Sequence, residues 1–168
     1  MLAILKRIKK SPIAKSLLFF EAEPARIEWL KRVHDANYMK AILSLEIKEA
    51  VVLDWEDTVA TKASPQAALH AAGAGDREYL VAFQNRILPA LDKFEPEFIL
   101  ISDGFDAHGD DPLSGMTLTT SAYRTMTALL KASAEKHCQG RIVSLLKGGY
   151  DFQALAESVE EHVTALTS

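Results

Sequence analysis

Two short stretches of this sequence carry residues whose types and spacing suit chemistry. The first is Ser102-Asp103-Gly104-Phe105-Asp106-Ala107-His108-Gly109-Asp110-Asp111-Pro112-Leu113, with four aspartates and one histidine between Asp103 and Asp111. Carboxylates and an imidazole gathered at the end of a strand are suitable zinc ligands. The same composition also suits a plain polar turn, with aspartates accepting from backbone amides. The second stretch is Lys147-Gly148-Gly149-Tyr150-Asp151. Paired glycines let the backbone turn sharply or approach a ligand closely. A tyrosine on such a turn can present its hydroxyl to a substrate carbonyl, or it can pack beneath the following helix.

The elements around these loops follow from pattern. Phe98 to Ile101 and Ile142 to Leu146 are uninterrupted apolar runs bounded by turn residues, as in strands buried on both faces. Asp76 reads as the cap of a helix with Leu80, Phe83, Ile87, Leu91 and Phe94 on one stripe. A helix with Tyr123, Met126, Leu129 and Leu130 lies between the strands. Asp151 caps a closing helix with Phe152, Leu155, Val159, Val163 and Leu166 inward. Helix, strand, loop, helix, strand, loop, helix is the order of a parallel α/β sheet, whose ligand site lies outside the carboxyl ends of the strands. Both loops fall there.

The part before Asp76 reads as mostly helical. Leu2 to Ile8 is a short basic amphipathic helix with its lysines in solvent, and Leu17 to Phe20 is a candidate strand. Helices are expected over Ala25 to Val33 and Asn37 to Leu45, and a short strand over Val51 to Leu53. Ser64-Pro65 starts a further helix that stops near Gly73, where Ala74-Gly75 forms a small flexible joint. The whole reads as one domain over 1–168, with a helical part over 1–73 and an α/β part over 76–168.

Bulk properties narrow the function. A chain of 168 residues with 48% hydrophobic and 25% charged residues is ordinary globular usage and long enough for a real core. A net charge of −4 argues against a generic nucleic-acid surface. No apolar run approaches the roughly 20 residues of a membrane span, and the opening residues lack the pattern of a targeting peptide. A single cysteine, Cys138, leaves no disulfide framework and points to a reducing, cytoplasmic setting.

Taken together, the motifs resemble the zinc-dependent histone deacetylase and acetylpolyamine amidohydrolase family. That family shows I-S-x-G-F-D-A-H-x-x-D-P-L and then L-x-G-G-Y. This chain has I-S-D-G-F-D-A-H-G-D-D-P-L and L-K-G-G-Y-D. Arg32-Val33-His34-Asp35-Ala36-Asn37-Tyr38 and the stretch from Asp57-Thr58 through Ser64-Pro65 to Gly73 resemble earlier family elements. The resemblance implies an arginase/deacetylase-like fold, a three-layer parallel sheet with helices on both faces, here reduced by loss of central strands. It implies zinc as cofactor and acetylated lysine or polyamine as substrate. Asp106 matches a zinc ligand, and Tyr150 matches the tyrosine that hydrogen-bonds the substrate carbonyl. Gly104, Phe105, Gly148 and Gly149 match the loops that shape the substrate site. In the family, zinc polarises the amide and activates water, while a histidine moves the protons.

The chain departs from the family between Gly73 and Asp76. The block with the adjacent histidine pair and the Asp-x-His ligands has no counterpart there, and no His-His pair occurs in the sequence. The expectation is a truncated relative, Met1 lying within what resembles the family's first helix, with lost or very low hydrolysis. A rebuilt metal site would need His108, Asp103, Asp110 or Asp111 beside Asp106. His34, His70, His137 and His162 read as surface or helix-end residues. A strand without its neighbour would expose a sheet edge that invites self-association.

Overall fold

The computed structural model of the protein describes residues 1–22, 26–32, 35, 37 and 73–168. The expected elements over 38–72 lie outside them. The chain divides into two compact units, Met1–Leu17 with Ala60–Ser168, and Leu18–Val59. In the second unit, the described residues form a single turn of helix, α2 (Ile27–Leu30), with the Arg26 guanidinium 5.4 Å from the Trp29 ring centroid. The apolar run from Leu17 to Phe20 forms no strand; Leu18 and Phe20 are exposed.

The first unit holds α1 (Leu2–Lys10), α3 (Asp76–Ala82), α4 (Leu88–Phe94), β1 (Ile99–Gly104), α5 (Thr120–Cys138), β2 (Ile142–Gly148) and α6 (Phe152–Thr167). β1 and β2 pair in parallel, Ile99 opposite Ile142 and Gly104 opposite Gly148, with an irregularity after Asp103. This is a reduced α/β fold with a small parallel sheet.

Alternation along β1 sends Ile99, Ile101 and Asp103 to one face. There Ile99 packs with Ala134 and Cys138 of α5, joined by Leu91, Ile101 and Ile142. Leu100, Val143 and Leu145 point the other way and stay exposed, at 59%, 44% and 56%. The apolar runs implied burial on both faces; among the described residues, only the helix face is covered.

The main core sits beyond the strand ends. Ile4 and Ile8 of α1 pack with Phe105, Leu118, Ala122, Tyr123, Leu155 and Val159. Residues four apart share one helix face, so α1 buries its isoleucines while its lysines face out. Arg7 on α1 ion-pairs with Glu157 and Glu160 of α6.

Four details differ from the sequence pattern. Gly75, not Asp76, occupies the cap of α3, and its N–H donates to the Glu78 carboxylate at 3.0 Å. Asp76 instead accepts from the Thr119 N–H and hydroxyl, at 2.8 and 2.7 Å. A π-helical turn, Phe83–Ile87, precedes Pro89. Pro89 offers no N–H to its own turn, and the wider turn accommodates this. Leu91 keeps its place on the inward stripe, but Phe94, the last residue of α4, ends 79% exposed. Phe152, at the start of α6, is exposed as well. Lastly, the Gly73–Gly75 joint is pinned: Gly73 N–H donates to Gly115 O at 2.7 Å, and Thr117 N–H to Ala74 O at 2.9 Å.

Candidate functional site

Both loops emerge at the carboxyl ends of β1 and β2 and are stitched together. Phe105 N–H donates to Gly148 O at 3.0 Å, and Tyr123 donates its hydroxyl to Phe105 O at 3.1 Å. Phe105 is buried, with its ring 5.0 Å from that of Tyr123. The next loop segment pairs with residues 117–118, through Gly109 N–H to Leu118 O at 2.9 Å and Leu118 N–H to Ala107 O at 3.1 Å.

Asp106 sits over the two strand-end glycines. A β-carbon on Gly148 would lie 2.6 Å from Asp106 Oδ2, and one on Gly104 would lie 3.0 Å from Oδ1. These glycines make room for the carboxylate. The same carboxylate acts electrostatically on Tyr79 of α3: burial first, then Asp106, raises the pKa of that phenol. Burial, with Asp106 next, likewise raises Tyr123. The sequence placed Tyr123 on an apolar stripe and gave no reason to single out Tyr79.

Gly149 takes φ +126°, a conformation side chains rarely adopt, and a β-carbon there would meet Leu155 Cδ1 at 2.7 Å. Tyr150 follows with 43% exposure, so it is not packed beneath the closing helix. Its N–H donates to Asp111 Oδ2 at 2.7 Å.

Asp103, Asp111 and the histidine of the first loop are engaged in other contacts, and the Asp110 side chain is exposed. Asp111 is 5% exposed, and its second oxygen accepts from Leu113 N–H at 2.9 Å. His108 accepts the Asp110 N–H on Nδ1 at 3.1 Å. Its Nε2 therefore carries the proton and donates to Thr120 Oγ1 at 3.0 Å. Asp103 leaves the site altogether. It lies on the helix face of β1 with Oδ2 3.1 Å from His162 Nδ1. Thr127 spends its hydroxyl proton on Tyr123 O, so its oxygen accepts from His162 Nδ1 at 2.7 Å. His162 thus donates from Nδ1 to Thr127, while the nearby Asp103 Oδ2 is buried with no hydrogen-bond partner among the described residues. Burial raises Asp103 to about 6 and lowers His162 to about 4.

His108 has both ring nitrogens engaged, by Thr120 and the Asp110 amide, and Asp103 points into the helix layer. Asp111 has both oxygens engaged. His162 is a buried residue, 5% exposed, not a surface histidine. Among the described residues, no three His, Cys, Asp or Glu side chains converge on a point. A zinc centre with three protein ligands does not fit this set. His137 pairs with Asp92 at 2.7 Å, away from the loops, and His34 and His70 lie outside the described residues.

Comparison with known proteins bears on the same segment. The model of the histone deacetylase domain family matches residues 70–166. Type-2 histone deacetylase 2 of Dictyostelium discoideum is 39% identical over 95 residues, 55% of this chain and 6% of that protein. Histone deacetylase-like amidohydrolase of Pseudomonas aeruginosa is 44% identical over 78 residues, 46% of this chain and 20% of that protein. The crystal structure of the HDA15 HD domain aligns with TM-score 0.53 and 35% identity, covering 57% of this chain and 26% of that one. The structure of the histone deacetylase Clr3 aligns with TM-score 0.54 and 30% identity, covering 59% and 16%. The chain thus spans about a fifth or less of the length of these two curated relatives. Among the described residues, no helix is long and apolar enough to cross a membrane.

Proposed function

The chain belongs to the histone deacetylase family, and from that premise we propose that it keeps the carbonyl-binding side of an acetyl-amide site while hydrolysing such amides slowly or not at all. The family reaction is zinc-dependent hydrolysis of acetyl-lysine or acetylpolyamine amides. In this reading Asp106 is the retained family carboxylate, and Tyr150 donates its hydroxyl to the acetyl oxygen. Gly104, Phe105, Gly148 and Gly149 shape the loops between them.

The observation that carries the proposal is the state of His108. It is the one imidazole of the two loops, and both of its nitrogens are taken by Thr120 and the Asp110 amide. A general base must reach the attacking water with a free lone pair. The sequence offers no His-His pair to replace it. The test is turnover of an acetyl-lysine peptide and an acetylpolyamine with zinc supplied. Rates at least about 10⁴-fold below an intact family member are expected. Comparable rates would sink the proposal.

A second reading, a non-catalytic module that binds acetylated lysine, is favoured by the exposure of Tyr150 together with its backbone tether to Asp111. Saturable peptide binding that weakens in Tyr150→Phe supports it; no binding of any acetylated ligand removes it. Self-association through the open sheet belongs to the same picture, since Leu100, Val143 and Leu145 would gain cover. The lone buried Cys138 supports a cytoplasmic setting.

A further inference from the structure

We propose that Asp111 is the positioning residue for Tyr150, holding the Gly-Gly-Tyr turn so that the tyrosine side chain stands out from the strand ends. The inference rests on the reading of Tyr150 as the group that meets the acetyl oxygen. The turn is fixed on both sides of Gly149. Before it, Gly148 O accepts from Phe105 N–H at 3.0 Å; after it, Tyr150 N–H donates to Asp111 Oδ2 at 2.7 Å. Gly149 itself, at φ +126°, is the residue about which the turn pivots. Tyr150 is 43% exposed, so packing does little to aim it and the backbone direction decides.

Asp111 is suited to this task by burial and by its two acceptor oxygens. At 5% exposure, solvent does not compete for the carboxylate. One oxygen holds Leu113 N–H, which fixes the carboxylate on its own loop, and the other is left for Tyr150. Asp111 N–H donates to His108 O at 3.0 Å, so the holder is itself held. An asparagine has one acceptor oxygen and an NH₂ group that cannot accept. It can serve Leu113 or Tyr150, not both.

Nuclear magnetic resonance on the full chain tests the tether, and binding of a peptide with one Nε-acetyl-lysine tests its consequence. In the unmutated chain, a scalar coupling across the hydrogen bond from Tyr150 N to Asp111 Cγ is expected, with slowed exchange of the Tyr150 amide. Asp111→Asn should speed that exchange by about tenfold or more, while amides inside α5 keep their rates. Peptide affinity should fall to that of Tyr150→Phe, and the double variant should bind no more weakly than either. Absence of the coupling with a fast-exchanging Tyr150 amide overturns the tether, even if Asp111→Asn fails to fold. An unchanged affinity in Asp111→Asn, where Tyr150→Phe binds more weakly, overturns the positioning role. If Tyr150→Phe binds as the unmutated chain does, the reading of Tyr150 falls and the positioning role with it; the coupling and the exchange rate then decide the tether alone.

Discussion

The Asp106 carboxylate rests on Gly148 so closely that a β-carbon there would come within 2.6 Å of Oδ2. The two residues belong to different loops, 42 positions apart by their numbers. The sequence motif and the geometry therefore describe one object: a carboxylate on the first loop and the small residue on the second that leaves room for it.

Gly148→Ala should accordingly displace Asp106 and destabilise the fold by about 1–3 kcal/mol, the usual cost of overpacking. Gly104→Ala, whose β-carbon would meet the same carboxylate at 3.0 Å, should cost less. Denaturant unfolding checks this. Combining Gly148→Ala with Asp106→Ala should recover most of the loss, because the clash lies with that side chain. A loss that persists in the double variant would place the strain in the backbone.

The Asp103–His162 pair predicts a specific pH behaviour. Asp103 is raised to about 6 by burial. Its contribution to stability is full below its unfolded value of ~3.9 and is lost as pH rises through its folded value. His162 is lowered to about 4 by burial. Its contribution is full above ~6.5 and is lost as pH falls through its folded value. Near pH ~5 the folded pair holds one proton on Asp103, and the unfolded pair holds one on the histidine, so the two slopes cancel. His162→Gln should therefore lose stability relative to the unmutated chain as pH rises from about 4 to 6. Asp103→Asn should lose it as pH falls from about 6.5 to 4, each by up to about 3 kcal/mol. Parallel curves for all three proteins would contradict this.

α1 is expected to be part of the core. Ile4 and Ile8 are 6% and 7% exposed and pack on Leu155 and Val159. Ile8→Ala should cost about 2–5 kcal/mol in thermal or denaturant unfolding. Arg7→Ala, which removes exposed ion pairs to Glu157 and Glu160, should cost at most about 1 kcal/mol.

What the sequence made legible were faces and loop positions. The apolar runs located both strands, and the order of elements located both loops at their carboxyl ends. Asp151 was readable as a cap and does accept from Gln153 and Ala154 N–H, at 3.0 and 2.7 Å. Asp106, Gly104, Gly148 and Gly149 do come together. Partnerships across the fold were not legible. Asp76 has the type and place of a cap, yet it reaches Thr119, 43 residues on. His162 shares a helix with polar neighbours, and only the tertiary fold aims it at Asp103. The stripe also included Phe94, which is the last residue of α4 and exposed, because periodicity does not mark where a helix leaves the core.

The open sheet face gives a prediction about assembly. Leu100 and Leu145 are more than half exposed on the uncovered side. Sedimentation should show concentration-dependent association, reduced in Leu100→Lys and Leu145→Lys. A monomer at all concentrations would remove this part of the account.

The most direct test of the central claim is the zinc content of the purified, dialysed protein by elemental mass spectrometry, alongside Asp106→Ala. The account predicts zinc well below one per chain in both, because among the described residues no three His, Cys, Asp or Glu side chains converge as ligands. About one zinc per chain, lost in Asp106→Ala, would contradict it and mean that a complete metal site had been assembled.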